Sequence, residues 1–351
     1  MLCPPFDPRL QRNRLIDRHP YKILDAPNIL DDFYLHLLDW SVRDVIAVAL
    51  GLEVYLWNAR TEHISLLGGL VETGVPVTAV GWSGDGDTLV VGKSQGKLAV
   101  WNYATGQKTQ EEDLSSAHQD RVGVVTFHQP HGYLTGCRDH IIREFDLRVG
   151  PRAVRQYRAH EQEVCGLAVA ARGRSGGGDP HLPLFASGGN ENCVMVWDQR
   201  QQRQPLWCWN DHKAAIRALA WSPHERHILA SGGGTADQTI RIRNAKTGTT
   251  GQVIETGSQV CNVIWSHTSS ELVSAHGYSQ HHIALWSYPD FKKIATLTGH
   301  RTRVLNSALS PDGENLVTAA ADETLRFWKV FKPPSRPSAN VALIHQLRAL
   351  R

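Results

Sequence analysis

Seven short strand-like segments, each closing on an aromatic residue or a substitute for one, limit how this chain can fold. They end at Trp57, Trp101, Phe145, Trp197, Arg243, Trp286 and Trp328, in strings such as EVYLWN, KLAVWN, VMVWD and LRFWK. Successive spacings are 44, 44, 52, 46, 43 and 42 residues. A second series marks an earlier strand in each unit: LLDWS, AVGWS, VVTFH, GLAVA, ALAWS, NVIWS and NSALS. A third is the histidine that opens several units, His118, His160, His212 and His300. The one long interval holds RGRSGGGDP, a Gly-rich insertion of the kind surface loops accept.

Three series in register at a period near 44 predict WD-type repeats, and seven units predict seven four-stranded blades. The expected fold class is therefore all-β, a seven-bladed WD-repeat β-propeller. No segment from 21 to 331 carries sustained helical periodicity. The last unit supplies three strands and stops near Phe331, while the first has an extra early strand, YKIL. Pairing YKIL with TLRFW would close the ring without a long free edge and set Asp25 beside Glu323 on one rim. The expected organisation is a basic, disordered N-terminal tail over 1–20, the propeller over 21–331, and a flexible tether with a docking tail over 332–351. Composition agrees, with 11 Trp, 30 Gly and only 2 Met.

Other bulk properties restrict function. The net charge of +3 is too mild to indicate nucleic-acid binding. Six cysteines without a C-x-x-C pair read as reduced thiols rather than a secreted scaffold or a metal site. No apolar run approaches the ~18 residues of a membrane helix, and MLCPPFDPRL has no secretory apolar core. The expectation is a soluble protein of nucleus and cytoplasm, bound to neither membrane nor nucleic acid. No nucleophile elbow, metal-ligand spacing or phosphate loop is present, so no catalytic residue, metal or cofactor is expected.

The string SGGNENCVMVWD, Ser187 to Asp198, poses a narrower question. Six residues before the strand-ending position lie Asp139, Glu191, Asp237 and Asp322. In WD repeats this slot holds a turn acid that bonds a strand histidine, so His160, His212 and His300 read as structural. Asn190 and Asn192, flanking Glu191, are not explained by that repeat; the plain alternative is that they are turn formers.

Several runs go beyond generic WD repeats: ILDAPNILDDFYLHLLDWS, RVGVVTFH, ASGGNEN, LASGGGTAD, TGSQVCNVIWS, ELVSAHGYSQ, LTGHRTRVLNSALSPDG and AADETLRFW. Over roughly residues 21 to 331 the chain resembles the fizzy and fizzy-related family, and LIHQ at 343–346 leans to the fizzy branch. The resemblance implies a substrate-recognition coactivator of the anaphase-promoting complex, a ubiquitin ligase, that binds degrons of substrates such as cyclins. It implies a KEN-box site at Asp32, Asn190, Asn192, Thr235, Gln259 and Arg303. Those residue types suit a Lys-Glu-Asn peptide, which needs an anion, a cation and amides. It implies a destruction-box site between the first and last blades, with Asp25 and Glu323 for the guanidinium of Arg-x-x-Leu and Pro27, Ile29 and Leu30 near its Leu.

Three features depart from the family pattern. The C-box of its N-terminal arm has only a poor match, IDRHPYK at 16–22, and Arg9, Arg12, Arg14, Arg18 and Lys22 read as a solvated tail. The family's terminal Ile-Arg, which docks on a helical-repeat subunit of the ligase, is replaced by Leu350-Arg351, or else by Leu347-Arg348 followed by three extra residues. Arg243 stands where the fifth blade should carry Trp, and is expected to weaken packing there. The competing readings are a degron-binding adaptor or decoy that does not activate the ligase, and a generic WD scaffold with unrelated partners.

Overall fold

A computed structural model describes residues 16–68, 74–105, 107–108, 117–150, 152–170, 184–201 and 203–332. Residues 1–15, the insertion RGRSGGGDP, LIHQ and both candidate docking ends, Leu347-Arg348 and Leu350-Arg351, lie outside the described residues. Among the described residues there is no helix, and the strands form seven four-stranded antiparallel sheets. The chain is a seven-bladed β-propeller.

Each blade is sandwiched between two others, and the burial pattern follows from that. Middle strands are buried on both faces and read as continuous apolar runs, as in Val194–Asp198 and Leu184–Gly189. Outermost strands touch a neighbour on one side only and alternate, as in Arg155–Arg158. The innermost strands are Leu38–Trp40, Val77–Trp82, Val122–Phe127, Val164–Val169, Ile216–Trp221, Val260–Trp265 and Val304–Leu309. Each abuts the next, and Leu38–Trp40 abuts Val304–Leu309, so the series runs round a central axis. At the seam, Lys22–Asp25 pairs antiparallel with Thr324–Lys329 in the sheet of the last blade. Ile16 packs against the core cluster that includes Val330 and Phe331.

The opening histidines do what the spacing predicts. Nδ1 of His118, His212 and His300 bonds Asp139, Asp237 and Asp322 at 3.0, 2.7 and 3.0 Å, and His160 bonds Glu191 likewise. Nε2 of each ring meets a hydroxyl of the next strand: Thr135, Ser187, Ser231 or Thr318. Trp197 and Trp328 donate their indole N–H to the same hydroxyls of Ser187 and Thr318, at 2.8 and 2.9 Å. Four buried polar groups thus satisfy one another, which spares the blade an unpaired donor or acceptor worth ~1–3 kcal/mol. Burial alone would raise the Asp237 carboxyl, but the bonds from His212 and Thr239 hold it well below the usual range.

Arg243 departs from the expectation of weakened packing. It is fully buried, and its Nε donates to Ser231 Oγ at 3.1 Å, the bond that the indole N–H groups of Trp197, Trp286 and Trp328 make to their own strand hydroxyls. The rest of the guanidinium is held by Asp211 at 2.6 and 3.2 Å and by Thr250, and it lies 4.9 Å over the Trp209 ring. A cation with a carboxylate, two hydroxyls and an aromatic face replaces the tryptophan in hydrogen bonding as well as in volume. Arg243→Leu is expected to lower stability by ~2 kcal/mol, because Ser231 loses its donor and Asp211 keeps Arg241 and partial hydration. A urea midpoint within error of the parent would show that only volume matters at this slot.

Blade six lacks an acid in the turn slot and packs His276 against His282, rings stacked 4.4 Å apart. Burial, reinforced by the neighbouring charges, brings His276 down to about 3 and His282 to about 4. Both folded-state values lie below the unfolded value, so their contribution is complete above about pH 6.5 and is lost as the pH falls from there toward 4. At pH 5 each costs ~2 kcal/mol. The urea midpoint should therefore drop between pH 7 and pH 5, and His282→Gln should shrink that drop; an unchanged drop would contradict this assignment.

Candidate functional site

The candidate functional face is built by a periodic defect in the innermost strands. In six of the seven, the second residue is a β-bulge: Thr78, Gly123, Cys165, Arg217, Cys261 and Leu305 are skipped in the pairing registers. A bulge leaves its residue unpaired in the ladder and re-aims it. Four of the freed carbonyls are collected at the axis. Arg217 donates Nη1–H to the carbonyl of Cys261 at 2.7 Å and to that of Leu305. His36 takes the carbonyls of Gly123, through its backbone N–H, and of Cys165, through Nε2, at 3.1 and 2.9 Å.

His36 belongs to segment 31–37, a strap that makes contacts with all seven blades. It forms a parallel bridge with Ala79, and Phe33 packs against Cys261 and Leu305. Leu35 gives its carbonyl to Arg217 Nη2 at 2.7 Å, and the Leu37 N–H donates to Asn306 Oδ1. Burial and the Arg217 charge bring His36 down to about 3, so the strap's histidine is neutral at physiological pH. Below it lies a cavity of about 300 Å³ lined by His36, Asn262, Asn306 and Ser307.

Above it the strap presents Asp32 and Tyr34. Asp32 Oδ1 accepts the Tyr34 N–H at 2.8 Å, and Oδ2 accepts Arg121 Nη1–H at 2.7 Å. Arg121 is also gripped by Glu163 at 2.7 and 2.9 Å. Burial alone would lower the Arg121 pKa, but the two carboxylates raise it above the ordinary value. Tyr34 donates its hydroxyl to Asn190 Oδ1 at 2.8 Å, and Asn190 Nδ2 donates to Gln162. Tyr34, Arg121, Glu163 and Asn190 line an open depression of about 560 Å³ with Arg138 and His140. On the other flank Arg303 donates Nε–H to Asp31 Oδ1 at 2.9 Å, and its guanidinium lies 4.9 Å over the Tyr278 ring.

The sequence-predicted KEN-box residues are thus gathered unequally. Asp32 and Asn190 are linked through Tyr34, and Arg303 is tied to the same strap through Asp31. Gln259 is buried against Gly277, with Oε1 lacking a donor among the described residues. Thr235 is exposed in its turn, and its carbonyl accepts Gln238 Nε2. Asn192 corrects the reading that the repeat has no need of it. The position five residues before the strand-ending residue is left-handed in six blades: Gly96, His140, Asn192, Gln238, His281 and Glu323, with φ from 48 to 76°. Asn tolerates that conformation well, so Asn192 has a turn-forming role.

At the seam, Asp25 pairs with Thr324, and the Glu323 carbonyl accepts the Ala26 N–H at 2.7 Å. Glu323 Oε1 accepts the Asn28 N–H at 3.0 Å. Both carboxylates are exposed on one rim, and among the described residues neither has an ion-pair partner. Pro27 is exposed and Leu30 half-buried, whereas Ile29 is buried in the core of the seam.

Reading residues one by one missed Arg121 and Glu163. The available signal was periodic, since both occupy the position before the first residue of an inner strand, which also holds Gln259 and Arg303. One further cluster, His118 with Cys137 and Asp139, has the atom types of a metal site within 4.8 Å. Arg143 donates to Asp139 at 2.6 Å, so a guanidinium already supplies the positive charge there.

Comparison with known proteins agrees with this architecture. A family model described as the CDC20/Fizzy WD40 domain matches residues 24–328. The chain is 44% identical over 321 residues to the WD repeat-containing protein srw1 of Schizosaccharomyces pombe, covering 92% of this chain and 55% of that protein. It is 42% identical to Meiotic fizzy-related protein 1 of the same yeast, covering 96% and 76% of the two chains. It is 43% identical to Anaphase-promoting complex subunit cdc20 of Dictyostelium discoideum, covering 96% and 66%. The chain thus spans about half the length of srw1 and two thirds of that of cdc20. Among solved structures, a chain of the Crystal Structure of Mitotic Checkpoint Complex superposes with a TM-score of 0.84 at 38% identity, covering 95% of this chain and 97% of that one. The chain belongs to the CDC20/Fizzy WD40 family.

Proposed function

We propose that this protein is a non-catalytic substrate-recognition coactivator of the anaphase-promoting complex, acting in the cell cycle by holding degrons on its upper face. The observation that carries the reading is the seam: two exposed carboxylates, Asp25 and Glu323, share a rim without a basic partner among the described residues. A guanidinium placed between them gains two charge-assisted contacts. Leu30 and Pro27 beside them offer apolar surface for the Leu of an Arg-x-x-Leu motif.

The axial mouth is proposed as the KEN-box site. Asp32 would receive the Lys of the motif, Arg303 its Glu, and Asn190 its Asn or backbone, with Asn192, Thr235 and Gln259 at the edge. Asp32 already accepts a hydrogen bond from Arg121, so an incoming ammonium competes with an existing ion pair, and its gain is correspondingly modest. Affinity for one short motif is then weak, and selectivity comes from engaging two motifs on one chain. Docking on the ligase through the C-terminal residues, Leu350 and Arg351, belongs to the same proposal.

A second reading, a degron holder that does not switch the ligase on, is favoured by one observation. Ile16 packs against the core cluster that includes Val330 and Phe331, and Lys22 pairs with Glu62 and lies over Trp57, so both ends of the C-box-like string are anchored on the propeller.

Charge reversal of both seam acids, D25K with E323K, is expected to weaken a destruction-box peptide by at least about tenfold and leave a Lys-Glu-Asn peptide within about twofold. Asn190→Ala is expected to do the reverse. Binding titrations that find both peptides insensitive to both changes would contradict the assignment of sites. Adding the full chain to ligase without its coactivator separates the two readings. Ubiquitin-chain formation on a substrate with both degrons supports coactivation, and binding without transfer supports the holder.

A further inference from the structure

The six bulge positions face the axis, and five of them hold small or uncharged residues: Thr78, Gly123, Cys165, Cys261 and Leu305. The sixth is an arginine, 2% exposed. Among the described residues Arg217 has no carboxylate partner. Its guanidinium is held by the carbonyls of Cys261, Leu305 and Leu35 and by Asn306 Oδ1. Burial brings it down to about 10, so it remains charged at neutral pH. The backbone at this point is tightly seated, since a Cβ on Gly166 of the preceding blade would lie 2.3 Å from the Arg217 carbonyl oxygen.

Two of the four contacts belong to the inner strands of blades six and seven, one is the strap carbonyl of Leu35, and the fourth is shared. Asn306 Oδ1 accepts both Arg217 Nη2–H and the Leu37 N–H. A planar donor fork suits acceptors on several sides at once, which a lysine ammonium does not. We propose that Arg217 is the positioning residue of the axial site: it draws the strap onto the freed bulge carbonyls and so sets where Asp32 and Tyr34 stand over the mouth. The inference rests on the reading of that mouth as a degron site, but the strap contacts exist independently of it. Arg217 lies beneath the strap, and its influence on a peptide passes through segment 31–37. The seam carboxylates, by contrast, are held by the pairing of Lys22–Asp25 with Thr324–Lys329 and should not respond.

The test uses the full chain and two variants, Arg217→Met and Arg217→Lys. Affinities for a Lys-Glu-Asn peptide and for a destruction-box peptide are measured alongside hydrogen exchange at the amides of residues 35–37. Arg217→Met is expected to weaken the Lys-Glu-Asn peptide about tenfold or more and the destruction-box peptide by less than about twofold. Exchange at 35–37 should accelerate while the middle strand Leu184–Gly189 stays protected. Arg217→Lys should fall between the parent and Arg217→Met, and carries the test if Arg217→Met fails to fold. Unchanged Lys-Glu-Asn affinity, equal weakening of both peptides, or unchanged exchange at 35–37 would each overturn the proposal. A parent chain that binds no Lys-Glu-Asn peptide would refute the degron reading instead. The exchange arm alone then decides, faster exchange upholding the positioning role and unchanged exchange overturning it.

Discussion

Every bulge at the inner end of a blade frees a carbonyl from its ladder, and a carbonyl buried beneath the strap has to find a donor. Arg217 and the strap are the answer this chain gives. The bulges place oxygens from blades three, four, six and seven around one point, and a guanidinium and a histidine-bearing segment close over them. The strap fixes the upper mouth of the channel, and the mouth gathers Asp32, Tyr34, Arg121, Glu163 and Asn190 into one hydrogen-bonded set. The polar surface thus follows from satisfying backbone groups that the propeller geometry itself leaves over.

The parts of this arrangement legible in the sequence are those with a repeating chemical signature. Aromatic strand ends, opening histidines and turn acids recur with the blade, so the fold and the bonds of His118, His160, His212 and His300 could be read in advance. Arg243 is misleading as a letter, because a charged side chain in a tryptophan slot suggests poorer packing, whereas its Nε–H meets the kind of strand hydroxyl that an indole N–H meets. Asn192 misleads for a different reason. Its slot asks for a left-handed backbone, and residues as different as Gly96, His281 and Glu323 meet that need, so the type seen in any one blade conceals the rule. The bulges are invisible in the letters, because one unpaired residue leaves no mark on composition or alternation, and the strap that depends on them is equally hidden.

The mouth and the seam are held by different means, and that separation has a functional consequence. The mouth depends on buried polar contacts to the strap, the seam on a strand pair between the two ends of the described chain. Each can be loosened without the other. A linear partner with two motifs joined by a flexible spacer converts the second contact into an intramolecular event, so two weak grips on one rim can act as one firm grip when the spacer matches the span. Under the proposed degron reading, the acidic seam and the mixed-charge mouth would have different preferences, which would orient such a partner as well as hold it.

Photocrosslinking tests the account most directly. A peptide carrying both motifs, with a photoreactive residue beside each, is bound to the full chain, irradiated and mapped by mass spectrometry. The account predicts adducts at 25–30 and 322–324 from the Arg-x-x-Leu position and at 31–34 and 190–192 from the Lys-Glu-Asn position. Adducts on the opposite face, around Gly84 and His128, or no difference between the two positions, would contradict it.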